Sequence, residues 1–436
     1  MTDSAPQGQQ GQGVDPEVEV EAEPEPAPLL TLRDGLSGVV ETEDAFAEVL
    51  ERFATGSGPV AIDAERASGY RYSQRAYLIQ LRRTGSGTAL IDPIAFESMA
   101  PLAEALEGVE WILHAATQDL ACLAEVGLHP STLFDTELAG RLLGYPRVGL
   151  ATLVETTLGR HLRKEHSAAD WSTRPLPEGW LEYAALDVEA LIELRDHLAV
   201  ELEETGKAEW ARQEFEHLLD FTPHVRSDPW RRTSQLHKVK GRRSLAAVRE
   251  LWQARDTLAA ERDVTPGRIL PDSAIVVAAQ EMPPDRSALL RTKGFHGRGA
   301  ARYAATWVAA LRTAAELPDS ELPPRTMRGD GPPPQRSWGD KDPAAARRLA
   351  IAKDAAAALS EEHHLPVENL LTPDTLRRVL WTPPESRQPD QLAEQVAASL
   401  AEHGARPWQV ELLEPVITAA VIAGDEEPDP DEPAED

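Results

Sequence analysis

Cysteine is nearly missing from this chain, lysine is scarce, and no apolar run approaches the length of a membrane span. Cys122 is the single cysteine, so no disulfide can form within the chain and a reducing compartment is expected. The apolar stretch near the C-terminus, Pro415 to Gly424, is about half of the roughly 20 residues a transmembrane helix needs. Residues 1–28 hold Gln, Gly, Glu and Pro without an apolar segment. A secretory signal is therefore not expected, and the location is read as cytoplasmic with no membrane partner. Basic side chains are absent from residues 1–28 and again from 425–436, where seven and eight acidic groups stand. Tails of this composition cannot bury enough apolar surface to fold, and both (1–28 and 424–436) are expected to be disordered.

What is present fits a multidomain protein. A chain of 436 residues, 42% of them hydrophobic, exceeds the size at which single cores stop growing, so two or three domains are expected. The formal net charge of −29 is about half accounted for by the tails. Between Arg226 and Arg243 the balance reverses: Arg226, Arg231, Arg232, Lys238, Lys240, Arg242 and Arg243 face only Asp228. An acidic body with one concentrated basic segment does not exclude nucleic acid.

The patterning divides the chain. Residues 36–222 read as α/β. A short amphipathic helix at 43–53 leads through Gly56-Ser57-Gly58-Pro59 into the apolar strand Val60–Glu65. Further strands are expected at 77–81, 89–91 and 111–114, with helices near 99–106 and 118–126 and a mostly helical stretch from 150 to 197. A basic linker at 223–243 follows. Residues 244–314 read as a small all-α unit whose first helix starts at a Ser244 cap, with a single helix over 299–311. The Pro-rich stretch 315–343 is a linker, and 344–423 repeats the helical order of the preceding unit.

Four acids carry the chemistry. Asp63 and Glu65 lie two apart on the apolar strand and so share one face of the sheet. Asp119 follows the strand that ends at His114, and Tyr183 and Asp187 share a helix face four apart. Each motif alone fits a surface or capping role. Carboxylates on core elements, however, are costly without positive compensation. A pair of Mg²⁺ or Mn²⁺ ions supplies it and suits phosphodiester hydrolysis.

Val60-Ala61-Ile62-Asp63-Ala64-Glu65 with Tyr77-Leu78-Ile79-Gln80-Leu81, then Leu113-His114-Ala115-Ala116-Thr117-Gln118-Asp119-Leu120, and then Glu182-Tyr183-Ala184-Ala185-Leu186-Asp187-Val188 resemble the three motifs of the ribonuclease D branch of the DEDD exonucleases, in its tyrosine variant. Phe134-Asp135-Thr136 and Asp170-Trp171-Ser172-Thr173-Arg174-Pro175-Leu176 match further segments of that family. Residues 244–314 resemble the helicase-and-RNase-D C-terminal (HRDC) module, and 344–423 a diverged second copy. The resemblance implies a ribonuclease H-like exonuclease domain followed by one or two all-α HRDC-type domains. It implies Asp63, Glu65, Asp119 and Asp187 as ligands of two divalent ions, with Tyr183 orienting the attacking water. It further implies a 3′→5′ exoribonuclease trimming transfer RNA and other stable RNA precursors. A DNA-directed exonuclease and a non-catalytic RNA-binding scaffold are the rival readings.

The remaining residues carry softer expectations. Trp171 and Arg174 either contact the 3′ nucleotide or pack at the start of the Trp180 helix. Arg231, Arg232, Lys238, Lys240, Arg242 and Arg243, with Trp230 among them, either track RNA phosphates or form a solvated linker. Lys293 opens the turn Lys293–Gly299, which lacks the Gly-Lys-Ser/Thr ending of a nucleotide-binding loop, so no nucleotide cofactor is expected. Its backbone is read either as a phosphate contact or as a helix-joining turn. His114, Cys122 and Gln80 are read as core or supporting groups, Gln80 alternatively as facing the substrate. The protein is expected to be monomeric.

Overall fold

The computed structural model describes residues 27–163, 168–224, 227–326 and 331–426. Arg226 and nearly all of the two acidic tails lie outside the described residues. The nuclease region is built on six strands: β1 (Val39–Val40), β2 (Ser57–Arg66), β3 (Ala76–Thr84), β4 (Gly87–Ile91), β5 (Glu110–Leu113) and β6 (Thr132–Asp135). Their order across the sheet is β1-β4-β3-β2-β5-β6. β2, β3 and β4 form an antiparallel meander, while β1 joins β4, β5 joins β2 and β6 joins β5 in parallel. Strand β3 is buried from Ala76 to Arg83, as a strand covered on both faces must be.

Helices close the two faces. The helix Glu43–Thr55 starts at Thr42, whose side chain accepts from the Ala45 amide, and buries Phe46, Val49 and Phe53. Each such burial is worth about 1.5–3 kcal/mol. On the opposite face the helix Glu178–Glu189 lays Ala184 and Ala185 against Leu78 of β3 and Leu90 of β4. Small residues there let the helix lie close over the strand that carries Asp63 and Glu65.

The middle helical unit runs from Arg242–Arg262 to Ala304–Glu316 around its own core of Leu251, Phe295 and Trp307. Its first helix begins at Arg242 with Gly241 in extended conformation as the cap, not at Ser244. The two arginines at its start reach across to carbonyls at the end of the unit, which extends the helix by a turn's fraction. The helix expected over 299–311 is two, Arg298–Arg302 and Ala304–Glu316, interrupted at Tyr303.

The third unit comprises helices Pro343–Glu362, Val367–Leu370, Pro373–Trp381, Pro389–Glu402 and Pro407–Asp425. Four of these begin with proline, whose fixed φ and missing N–H suit a first helical turn. Part of the stretch read as linker is folded. Trp338, within the helix Trp338–Lys341, is 1% exposed and packs on Trp381 with ring centroids 4.9 Å apart. This unit shares one continuous core with the nuclease. Trp408 stacks on Trp210 at 4.8 Å and donates through Nε1 to Glu214, which also pairs with Arg406 at 2.7 Å.

Candidate active site

The carboxylates meet at the carboxyl-terminal end of β2, beneath the helix Glu178–Glu189. Asp63, Glu65 and Asp187 place one oxygen each within 4.8 Å of the others. With Asp119, Tyr183, His114, Arg66, Ser68 and Gly69 they line a cleft of about 380 Å³. Asp119 stands outside the tight group of three. It occupies the cap position of the helix Leu120–Glu125, yet its side chain makes no capping bond there. Buried and unused by the backbone, its carboxylate faces the shared cleft.

Like charges in a desolvated site resist ionisation. Burial, and then Asp63, Asp187 and Asp119, push the Glu65 carboxyl up to about 10. Burial likewise raises Asp63, Asp119 and Asp187. Arg66 opposes these shifts at a distance. Among the described residues no lysine or arginine forms an ion pair with any of the four acids. An oxygen-only donor set of this density, with no protein cation in ion-pair contact among the described residues, fits a hard divalent ion. Tyr183 donates to Asp187, and burial with the neighbouring acids raises its phenol above the ordinary range.

Several residues hold this arrangement. Buried Asp135, at the end of β6, accepts from the Ala115 and Ala116 amides at 3.0 and 2.8 Å and from Glu137 and Leu138 at 2.9 and 3.2 Å. One carboxylate thus fixes both the turn that leads to Asp119, where Ala115 adopts a φ of 59°, and the start of the next helix. His114 Nδ1 lies 2.9 Å from the Thr136 hydroxyl, and burial lowers the imidazole to about 4, so it is neutral. Cys122 is buried, and its thiol is pushed up to about 12. Gln80 sits directly across from Asp63 in the β2–β3 register, fully buried, with neither amide atom hydrogen-bonded.

The residues expected near the substrate divide sharply. Trp171 is 0% exposed, with its ring 5.5 Å from Trp180 and 6.4 Å from Tyr183; it is a buttress behind Tyr183 and offers no stacking face. Arg174 is clamped by Asp92 at 2.6 and 2.8 Å and by the Tyr77 and Trp171 carbonyls at 2.8 Å. Trp171 is thus buried within the packing, while Arg174 is exposed but held by these bonds.

The basic segment is largely spent internally. Arg231 pairs with Asp228 and bonds the Pro324 carbonyl. Arg242 bonds carbonyls of Asp319, Leu322 and Pro323, and Arg243 those of Ala314, Ala315 and Leu317 together with the Asp319 carboxylate. Lys238 bonds Gln235, while Arg232, Lys240 and Lys293 are exposed. In the turn after Lys293, Gly294 has a φ of +96°, and a Cβ there would come within 2.6 Å of Ala274, which explains the glycine by packing. Arg66 was not singled out in the sequence; its place directly after Asp63-Ala64-Glu65 was the available signal.

Residues 38–203 match a family profile described as 3′-5′ exonuclease, 244–311 one described as HRDC domain, and 331–421 one described as 3′ to 5′ exonuclease C-terminal domain. Ribonuclease D of Granulibacter bethesdensis is 32% identical over 332 residues, covering 73% of this chain and 80% of that protein. Ribonuclease D of Escherichia coli is 31% identical over 292 residues, covering 65% and 76%. Among solved structures, a protein from Bifidobacterium adolescentis superimposes with a TM-score of 0.82 at 37% identity, covering 91% of this chain and all of that one. The E. coli RNase D structure, described as an exoribonuclease involved in structured RNA processing, gives 0.62 at 28% identity over 84% and 99%. With its carboxylate cleft inside the matched exonuclease region and its length aligned to these proteins, the chain belongs to the ribonuclease D family of 3′→5′ exoribonucleases.

Proposed function

We propose that this exonuclease trims transfer RNA and other stable RNA precursors from their 3′ ends, by hydrolysis assisted by two Mg²⁺ or Mn²⁺ ions, acting as a cytoplasmic monomer. The observation that carries the metal-dependent reading is the convergence of Asp63, Glu65 and Asp187 within 4.8 Å, in a cleft where burial holds every carboxyl up and neighbouring acids add to it at Glu65 and Asp187. Asp63, Glu65, Asp119 and Asp187 are the residues that would hold the ions. Bound there, divalent ions supply an acidified water and electrostatic stabilisation of the leaving oxygen.

The chain's own contribution is orientation. The Tyr183 phenol stays protonated, so it can hold a water or a phosphate oxygen but cannot act as a base. Its bond to Asp187 and the Trp171 ring behind it fix its position. Neutral His114 adds no positive charge to the cleft beyond that of Arg66. The third unit opens in the same order as the middle one, a long helix, a one-turn helix and a medium helix (Pro343–Glu362, Val367–Leu370 and Pro373–Trp381 beside Arg242–Arg262, Pro266–Ile269 and Asp272–Glu281), which supports reading 344–423 as a second, diverged HRDC-like copy.

The test is degradation of a 3′-extended transfer RNA by wild type and Asp63→Ala, with Mg²⁺ or Mn²⁺ and with a chelator, beside a DNA strand of the same sequence. Metal-dependent trimming of the RNA from its 3′ end, lost in the variant, is the expected result. RNA bound but left intact would favour the scaffold reading, and preferential loss of the DNA strand the DNA-directed one.

A further inference from the structure

The middle helical unit touches the nuclease at the rim of the catalytic cleft. Ser68 and Gly69 line the cleft, and the β2–β3 loop that continues from them meets the end of the helix Arg242–Arg262. Asp263, just past that helix, accepts from the Tyr72 and Ser73 amides at 3.2 and 2.9 Å and from the Tyr77 hydroxyl at 3.3 Å. Tyr72 donates to Asp256 at 3.0 Å, and the Thr265 amide donates to the Tyr70 carbonyl at 3.0 Å. Five polar bonds thus hold the seam in one position relative to the carboxylates.

Three guanidinium groups stand on this seam. Arg268 lies over the Tyr70 ring at 4.2 Å, and Arg262 and Arg302 both lie over Tyr303, at 5.2 and 5.5 Å. All three side chains are exposed. Among the described residues none of them has a carboxylate in ion-pair contact or a hydrogen bond to a carbonyl, in contrast to Arg231, Arg242 and Arg243. A guanidinium stacked on an aromatic face keeps its in-plane N–H donors directed outward, where they suit phosphate oxygens. The half-exposed Tyr70 and Tyr303 rings serve as the platforms on which these guanidiniums rest.

We propose that this seam is the RNA contact immediately outside the cleft, with Arg262, Arg268 and Arg302, held on the Tyr70 and Tyr303 rings, binding backbone phosphates of the strand whose 3′ end is being hydrolysed. The inference rests on the exoribonuclease reading and adds the residues that bind the upstream strand. The anchoring by Asp263 gives the contact a fixed distance from the carboxylates, so it serves RNA long enough to span both.

The test replaces all three arginines by glutamine, and in a second variant by lysine, in the full chain. Rates are measured on an RNA dinucleotide and on a single strand of about twelve nucleotides. Salt-dependent affinity for the longer strand is measured separately on Asp63→Asn backgrounds, so that binding is read whether or not cleavage occurs. With each phosphate contact contributing about 0.7 to the slope of log affinity against log salt, loss of three is expected to flatten it by about 2. The glutamine variant should lose at least about tenfold in kcat/KM on the longer strand and leave the dinucleotide within about twofold, while lysine, which keeps the charge but not the stacked fork of donors, should restore the salt slope and only part of the rate. An unchanged slope, or equal losses on both substrates, overturns the seam as an RNA contact. Failure of the wild type to cleave either RNA would instead sink the catalytic reading, while the slope still decides the seam.

Discussion

At the scale of single residues, the cleft is defined by charges that repel one another. Asp63→Asn removes one of them together with a metal donor. It is expected to lower metal-dependent trimming by two orders of magnitude or more. It should also abolish the rise in melting temperature that Mn²⁺ gives the wild type, because only ion binding to the folded state produces that rise. A variant that kept a wild-type Mn²⁺ shift would remove Asp63 from the donor set. His114 makes a different prediction. Its imidazole is held at about 4 against an ordinary 6.5, so between those values the unfolded chain binds a proton that the folded one refuses. Stability is therefore lost as pH falls from about 6.5 towards 4, by up to a few kcal/mol. His114→Gln should flatten that part of the stability curve relative to wild type in denaturant titrations across the window. Equal curves would show that His114 is not the group responsible. The carboxylates, raised in the folded state, act with the opposite sign, which is why the difference between the two proteins is the quantity to read.

At the scale of elements, the turn between Arg286–Arg291 and Arg298–Arg302 is set by Gly294. Its φ of +96° and the 2.6 Å approach to Ala274 leave no room for a side chain. Gly294→Ala is expected to destabilise the middle unit by roughly 1–3 kcal/mol. If the turn served phosphate binding instead, RNA affinity would fall with the melting temperature unchanged. Asp135 has the complementary role in the nuclease. It satisfies four amides of two successive turns, so the position of Asp119 depends on a buried residue that does not line the cleft.

Across the whole molecule the three helical and sheet layers are not equivalently joined. The nuclease and the third unit share one apolar core, closed by Trp210 on Trp408 and by Glu214 with Arg406. Gly144 lies against the third unit so closely that a Cβ would come within 2.1 Å of the His364 carbonyl. The middle unit has a separate core and meets the nuclease through the polar seam at Asp263. Calorimetry should accordingly show two transitions, one for the nuclease with the third unit and one for the middle unit. Trp408→Ala is expected to cost about 3–5 kcal/mol in the first and to leave the second unmoved. Equal shifts of both transitions would mean that the middle unit is cooperative with the rest.

The carboxylates that converge were legible in the sequence because their spacing is a property of single elements: Asp63 and Glu65 two apart on a strand, Asp187 four after Tyr183 on a helix. Strands β2 to β5 and most helices were legible for the same reason, since their apolar periodicity is local, whereas the short edge strands β1 and β6 were not. The sequence could not show where charged side chains end. Arg242 and Arg243 lie among residues that read as an RNA-tracking run, yet they close the end of their own unit on carbonyls about 70 to 80 positions away. Trp171, an apparent stacking platform, is turned inward behind Tyr183. The Pro-rich stretch 315–343 looked like a linker, although its last residue, Pro343, starts a helix and Trp338 within it is buried against Trp381. Sequence by itself determined the chemistry, because the donor atoms and their local periodicity are covalently fixed. Tertiary structure decided which cations remain available to RNA, because that depends on which carbonyls and carboxylates the folded chain brings within hydrogen-bond reach.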